Sequence, residues 1–142
     1  MATDNSFALP ETLCPDLQRA FDYWDGLKRA DNSMPFWDDL KLSALGDLAS
    51  RLFLIDVFEK PQRFRMNTIG PDVAVTDGAA LRGKFIDEAA LTGALEGLRA
   101  QASATVVARA PTFDRGVGFG RILLPMWGDG RIGMLLGAID TQ

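Results

Sequence analysis

Hydrophobic residues recur every three or four positions between residues 15 and 29, which is the spacing of one face of an α-helix. Charged or polar residues fill most of the intervening positions. Pro15 suits the first turn of such a helix, because its missing N–H group would have no partner there. The pattern therefore predicts an amphipathic helix from Pro15, with a second, shorter helix over residues 40–49. The apolar stripe of the first helix consists of Leu17, Ala20, Phe21, Trp24 and Leu27.

Patterns typical of β-strands begin at residue 51. Residues 51–58 are rich in β-branched and aromatic side chains, and four residues separate them from a second run at 63–69. A hairpin with a four-residue loop places Asp56 opposite Arg65, so we expect a cross-strand ion pair. One face of this hairpin is almost entirely apolar, and the other is half apolar. The pattern predicts a core on one side and partial cover on the other.

A longer helix is predicted after the hairpin, with Asp87 as a candidate N-cap. Its apolar stripe, which indicates a helix that covers the core, consists of Leu91, Ala94, Leu95 and Leu98.

Three further runs typical of strands cover residues 102–110, 118–126 and 131–139. Asp129-Gly130 predicts a tight turn between the last two. Strands, then helices, then strands again indicate an α+β domain with an antiparallel sheet. We expect residues 1–14 to form a flexible N-terminal tail and residues 15–142 to form one domain.

Composition excludes several kinds of chemistry. The chain has one cysteine, Cys14, and no histidine. It therefore has no internal disulfide, no thiolate cluster for a metal, no histidine-ligated haem, and no Ser-His or Cys-His nucleophile pair. We expect no metal site and no catalytic residues, and hence a protein that is not an enzyme.

Charge and hydropathy bear on partners and location. The formal net charge of −4 argues against binding to nucleic acid or to anionic lipid. No secretion signal or membrane-spanning stretch is present, so we expect a cytoplasmic protein.

Arg121 is the single charged residue in the run at 118–126. A two-residue turn at Asp129-Gly130 would pair Arg121 with Ala138 and place it on the face of the sheet that also carries Met134. We interpret this face as the core side. A buried guanidinium must be paired or hydrogen-bonded, because burying it alone costs several kcal/mol.

Two interpretations of Arg121 stay open. In one, it pairs with an acid such as Asp87 or Glu88, or its side chain reaches the rim of the core. In the other, it binds the carboxylate or phosphate of a small amphiphilic ligand. The predicted ligand-binding set is Arg121, Phe64, Met66, Leu98, Phe119, Leu123 and Met134.

Several short motifs together resemble a PAS-like family of short proteins common in alphaproteobacteria, over roughly residues 16–138. The resemblance implies a five-stranded antiparallel sheet with helices across one face, an N-terminal helix outside the core, and a sensory role in signal transduction. The cofactor stays unknown. The motifs are Phe21-Asp22-Tyr23-Trp24, residues 52–57, Phe64-Arg65-Met66 with Gly70, and residues 121–126 with Gly128-Asp129-Gly130.

The resemblance and the sequence together predict a stand-alone regulatory or sensory binding domain that acts through a small ligand or a protein partner. We expect a homodimer that uses Phe21 and Trp24, because aromatic side chains are enriched at interfaces, and a separate output protein. One alternative is a ligand-free scaffold for protein–protein interactions. Another is a small α+β isomerase with Asp56 as the base.

Overall fold

The computed structural model describes residues 7–73, 81–116, 118–128 and 130–141. Its centre is an antiparallel sheet of five strands in the order β2-β1-β5-β4-β3. The α+β architecture predicted from the sequence is therefore confirmed. The strands are β1 (Leu52–Phe58), β2 (Arg63–Ile69), β3 (Thr112–Gly116), β4 (Phe119–Gly128) and β5 (Arg131–Thr141).

One face of the sheet, which we call the inner face, is covered by helix α2 (Leu98–Ala108) and by the short 3-10 turn Gly93–Leu95, and a second 3-10 turn, Ile86–Glu88, lies beside the edge strand β2. Side chains of alternate strand residues point toward these elements. The buried apolar residues on this side include Phe53, Ile55, Val57, Phe64, Met66, Leu95, Leu98, Ala102 and Leu123.

The opposite face, which we call the outer face, carries helix α1 (Pro15–Gly26) and the 3-10 segment Leu42–Arg51. The predicted N-terminal amphipathic helix is confirmed, with Pro15 in its first turn. The indole N–H of Trp24 donates to the carbonyl oxygen of Pro125 in β4 at 2.8 Å, which fixes α1 on the sheet. In place of the second helix predicted over residues 40–49, Leu42–Arg51 forms 3-10 turns, and its helical backbone is interrupted at Gly46, where φ is 57°.

Two predictions for the region after the hairpin are wrong. Residues 102–110, predicted as a strand, belong mostly to α2, and the helix predicted to follow Asp87 begins only at Leu98. Asp87 lies instead in a 3-10 turn without a side-chain capping bond. The reason is tertiary packing: Gln101 and Thr105 are buried on one side of the helix, and this burial outweighs the β-propensity of the local sequence.

The register of the β1–β2 hairpin shifts by one residue between Leu54 and Ile55, but from Ile55 to the loop it agrees with the prediction, since Asp56 is opposite Arg65. The β4–β5 register does not. It matches next to the turn, but it shifts between Met126 and Trp127, so that Arg121 pairs with Ile139 and not with Ala138.

The extra residue in β5 at this shift is Gly133, since Trp127 pairs with Ile132 and Met126 pairs with Met134. A shift of one residue moves a side chain to the other face of the sheet. Met134 therefore lies on the outer face, and the prediction that it shares a face with Arg121 is wrong. Asp129, half of the predicted turn, lies outside the described residues.

Both edge strands are partly paired with short segments of the same chain. At the β2 edge, Met66 donates its N–H to the carbonyl of Lys84 at 2.9 Å and accepts the N–H of Gly83 at 2.6 Å. At the β3 edge, Phe113 donates its N–H to the carbonyl of Phe7 at 2.9 Å. Phe7 belongs to the predicted tail, of which residues 1–6 lie outside the described residues.

Candidate functional site

The guanidinium of Arg121 lies on the inner face, and its side chain is 0% exposed. Its Nε–H group donates to Oε1 of Gln101 at 2.6 Å. Nη1 donates to the carbonyl oxygens of Ala94 at 2.8 Å and Glu96 at 3.0 Å. Nη2 donates to Oδ2 of Asp114 at 3.3 Å. All three nitrogens of Arg121 therefore have acceptors within the protein.

The acid that pairs with Arg121 comes from the neighbouring edge strand. Asp114 in β3 lies directly opposite Arg121 in β4. The prediction that Asp87 or Glu88 pairs with Arg121 is wrong, because their carboxylates pair with Arg63 at 3.1 Å and 3.3 Å. Burial lowers the pKa of Arg121 to about 10, and the charge of Asp114 acts in the opposite direction. Arg121 therefore keeps its positive charge at neutral pH.

The residues predicted to line an internal ligand site are, apart from Met134, buried on the inner face, but they are spread across the sheet from β2 to β4. None of the inner-face members lines any of the four clefts identified in the described part of the chain. Met134, the remaining member of the predicted set, lines a cleft on the outer face. A role for Arg121 in ligand binding stays a prediction. The buried inner-face members are Phe64, Met66, Leu98, Phe119, Leu123 and Arg121.

An open cleft on the outer face, which we call the outer cleft, has a volume of about 290 Å³. Strands β1, β2, β4 and β5 and the turn around Trp37 all contribute to it. It combines aromatic, apolar and charged side chains, which is the composition of small-molecule sites. It is lined by Trp37, Asp56, Val57, Phe58, Arg65, Asn67, Gly128, Arg131, Gly133 and Met134.

Asp56 holds the side chains of its neighbours at one end of the outer cleft. Arg65 donates to Oδ2 of Asp56 from Nη2 at 2.9 Å and from Nε at 3.2 Å, so the predicted cross-strand pair is confirmed. Nδ2 of Asn67 lies 3.2 Å from each carboxylate oxygen of Asp56. The guanidinium of Arg65 also lies over the ring of Phe58, 4.9 Å from its centre. A role for Asp56 as a general base stays a prediction.

Arg131 supplies the second guanidinium of the outer cleft. Its Nη1 donates to the carbonyl oxygens of Val57 at 2.7 Å and Ile132 at 3.1 Å, which holds the side chain against the sheet. Its Nε lies 4.0 Å from Oε1 of Glu59. Among the described residues, neither Nη2 of Arg131 nor Nη1 of Arg65 has a hydrogen-bond acceptor. Both groups can therefore bind an added anion.

Trp37 forms the aromatic wall of the outer cleft, and it is 46% exposed. A Cβ atom on Gly128 would lie 2.4 Å from Cδ1 of Trp37, so only glycine allows the indole to lie this close to β4. A Cβ atom on Gly133 would lie 3.6 Å from Cα of Gly128. The chain before Trp37 is fixed by a hydrogen bond from the N–H of Trp127 to the carbonyl of Pro35 at 2.8 Å.

The two residues predicted to form a dimer interface differ in exposure. The ring centres of Phe21 and Trp24 lie 5.7 Å apart on α1. Trp24 is 2% exposed within a single chain, because it packs against the sheet, whereas Phe21 is half-buried. A second copy of the chain could therefore cover only Phe21 of the two, and the dimer stays a prediction.

Part of the outer cleft could be predicted from the sequence. The Asp56–Arg65 pair follows from the hairpin, but Trp37 and Arg131 carry no motif that joins them to it. Their common location results from the arrangement of four strands, so periodicity along the chain gives no signal for it.

The described residues contain no group of three or more His, Cys, Asp or Glu side chains that could hold a metal ion. None of the helices in these ranges has the length and apolar composition that a membrane span requires. Comparisons with models of protein families, with curated proteins and with solved structures found no match to this chain. The arguments about function therefore depend on the geometry of the site.

Proposed function

We propose that this protein is a PAS-like regulatory domain that binds a small ligand or a protein partner at the outer cleft, and that it acts on a separate output protein. The five-stranded antiparallel sheet with helices on it is compatible with the PAS-like fold that the sequence resembles. A fold alone does not specify a function, so the proposal depends on the two faces of the sheet.

One observation carries this proposal: the surroundings of Arg121 on the inner face are filled by protein, while the end of the outer face that lies beyond α1 and Leu42–Arg51 has an open cleft. Arg121, the candidate for an internal ligand site, is 0% exposed and bonded to protein acceptors. The outer cleft has a volume of about 290 Å³, close to the lower limit of about 300 Å³ for small-molecule sites. It also contains two guanidinium groups, each with an Nη group that donates to no acceptor among the described residues. Ligand binding therefore has more support at the outer face.

The first test blocks the cleft. Asn67→Trp places a large side chain at an exposed position that lines the outer cleft. Val107→Trp is the control, because Val107 is 77% exposed on α2 and does not line the cleft. Native mass spectrometry and thermal shifts with a metabolite panel then compare both variants with the unsubstituted protein.

We expect a bound small molecule, a stabilising compound or a self-associated form that is retained by Val107→Trp and lost by Asn67→Trp. Equal behaviour of the two variants would show that the cleft is not the binding site. If the unsubstituted protein binds no panel compound, retains no small molecule and does not self-associate, the proposal is wrong.

A ligand-free scaffold is the second candidate function, and the filled inner face favours it. Here the half-buried Phe21 on α1 would contact a second copy or another protein, because exposed aromatic side chains are enriched at interfaces. Sedimentation of Phe21→Ser tests this candidate. A dimer that the substitution converts to a monomer supports it, and a monomer at high concentration in the unsubstituted protein contradicts it.

A further inference from the structure

We propose that the ligand of the outer cleft is a flat organic monoanion, an aromatic carboxylate, whose carboxylate binds Arg65 and Arg131 and whose ring packs on Trp37. This inference rests on the proposed function, because it names the class of ligand for the same site. It is argued from the charge, the donors and the shape of the cleft.

The charge of the cleft favours one negative charge on the ligand. Its lining includes the guanidiniums of Arg65 and Arg131 and a single carboxylate, that of Asp56. Asp56 is bonded to Arg65, so among the described lining residues none balances the charge of Arg131. Glu59 lies 4.0 Å from Nε of Arg131, but its side chain is 52% exposed, and solvent screens such pairs. The described part of the lining therefore has a net charge of +1, from two positive groups and one negative group.

The donors are held in position before a ligand binds. Asp56 fixes Arg65 through two hydrogen bonds, and the carbonyl of Val57 fixes Arg131 at 2.7 Å. Each guanidinium has one Nη group without an acceptor among the described residues, and hydrogen bonds from guanidinium to carboxylate are about twice as strong as neutral ones. Because these side chains are already ordered, less conformational entropy is lost on binding.

The shape of the cleft favours a planar ligand. The indole of Trp37 is half-exposed and lies on Gly128, so one part of the ring system contacts the sheet and the rest can contact a ligand. Met134, which is 8% exposed, lines the same cleft and adds a thioether that packs well against aromatic rings. A volume of about 290 Å³ suits a ligand of one or two rings.

The experiment uses 1-naphthoate and its neutral analogue 1-naphthylmethanol as probes, with isothermal titration calorimetry on the full chain. We expect naphthoate to bind at least tenfold more tightly than the alcohol. Arg131→Met should weaken naphthoate binding at least tenfold. Arg109→Met is the matched control, because Arg109 also lies beside an indole, 5.2 Å from the ring centre of Trp127, but does not line the outer cleft.

Trp37→Ala is a second variant, which leaves both guanidiniums and their hydrogen bonds in place. It should weaken naphthoate binding by a similar factor, and in the unsubstituted protein the indole N–H signal of Trp37 should shift during an NMR titration. This variant keeps the test decisive if Arg131→Met does not fold, because the carbonyl of Val57 loses its donor in that variant.

Equal affinity for the acid and the alcohol, or naphthoate binding that survives Arg131→Met and Trp37→Ala, overturns the inference. The two proposals can fail separately. If naphthoate does not bind but Asn67→Trp still abolishes another binding event, the ligand class is wrong and the proposed function stands. If no binding event depends on Asn67, both are wrong.

Discussion

The side chain of Gln101 bonds to both ends of Arg121. Its Oε1 accepts the Nε–H of Arg121 at 2.6 Å, and its Nε2 donates to the carbonyl oxygen of the same residue at 3.2 Å. Nε2 of Gln101 also donates to Oγ1 of Thr112 at 3.1 Å, which lies 2.6 Å from Oγ1 of Thr105. These side chains join α2 to β3 and β4 in one buried network. Within the described residues, no buried side-chain nitrogen or oxygen lacks a partner.

Removal of Arg121 should be strongly destabilising. Arg121→Met leaves the buried amide oxygen of Gln101 and the half-buried carboxylate of Asp114 without their donors, and each buried group left without its hydrogen bond costs about 1–3 kcal/mol. Arg115→Met, one residue after Asp114 and exposed, should change stability by less than about 0.5 kcal/mol. Urea unfolding measures both. A loss below about 1 kcal/mol for Arg121→Met would show that the network adds little to stability.

The hydrogen bond between Trp24 and Pro125 should make substitution of Trp24 more destabilising than substitution of Trp37. Trp24→Phe removes the donor to the Pro125 carbonyl and leaves a space beside β4, so we expect a loss of about 2–4 kcal/mol. Trp37→Phe, at a half-exposed position, should cost less than about 1 kcal/mol. Thermal and urea unfolding of the two variants test this order, and equal losses would contradict the role of α1 as a fixed cover.

Two glycines of β5 should respond differently to the same small substitution. A Cβ atom on Gly137 would lie 2.1 Å from the ring of Phe53, a fully buried side chain, so Gly137→Ala should cost about 1–3 kcal/mol through overpacking. Gly133→Ala meets only an ordinary contact at 3.6 Å and should cost less. The difference between the two midpoints in urea is the measurement, and the reverse order would show that the inner face repacks easily.

Acid should weaken the fold partly through Asp87. The guanidinium of Arg63, through its hydrogen bonds, holds the pKa of Asp87 below its ordinary value of 3.8. The unfolded chain therefore binds more protons in acid than the folded chain does. The contribution of Asp87 to stability is present above the ordinary pKa and is lost as the pH falls through the lower, folded value.

Asp87→Asn should therefore destabilise the protein at pH 7 and lose its effect progressively below pH about 4. The exposed Asp31, which forms no ion pair with a described residue, gives the control Asp31→Asn. Unfolding curves across the acidic range compare the two variants. The two free energies of unfolding, of Asp87→Asn and of the unsubstituted protein, should converge in acid. If their difference stays constant with pH, the pKa of Asp87 does not contribute to the loss of stability in acid.

Local patterns predicted the parts of the fold that depend on neighbours in the chain. The loop of four residues after Phe58 set the β1–β2 register correctly as far as Ile55, because a hairpin loop determines which residues lie opposite each other near it. The β4–β5 register shifted at Gly133, since a bulge depends on one extra residue that the alternation of side chains does not reveal. A glycine within a strand is the signal that could have indicated it.

Helix α2 and the outer cleft were harder to predict because both depend on contacts between residues that are distant in sequence. Thr105 and Val106 favour a strand locally, but burial against the sheet keeps them in α2. Trp37 and Arg131 are brought together by strands that are distant in sequence, with Gly128 providing the space. Only the Asp56–Arg65 pair, which lies within one hairpin, could be placed from the sequence.

The short pairings at the two edge strands have a consequence for how the molecules behave in a concentrated solution. A sheet edge with unpaired N–H and C=O groups is a template for strands of other molecules, and such additions lead to aggregates. Lys84 occupies the Met66 N–H on one edge, and the carbonyl of Phe7 occupies the Phe113 N–H on the other. Each segment blocks a position from which intermolecular β-pairing could propagate, so both edges of the sheet are partly protected without a dedicated strand.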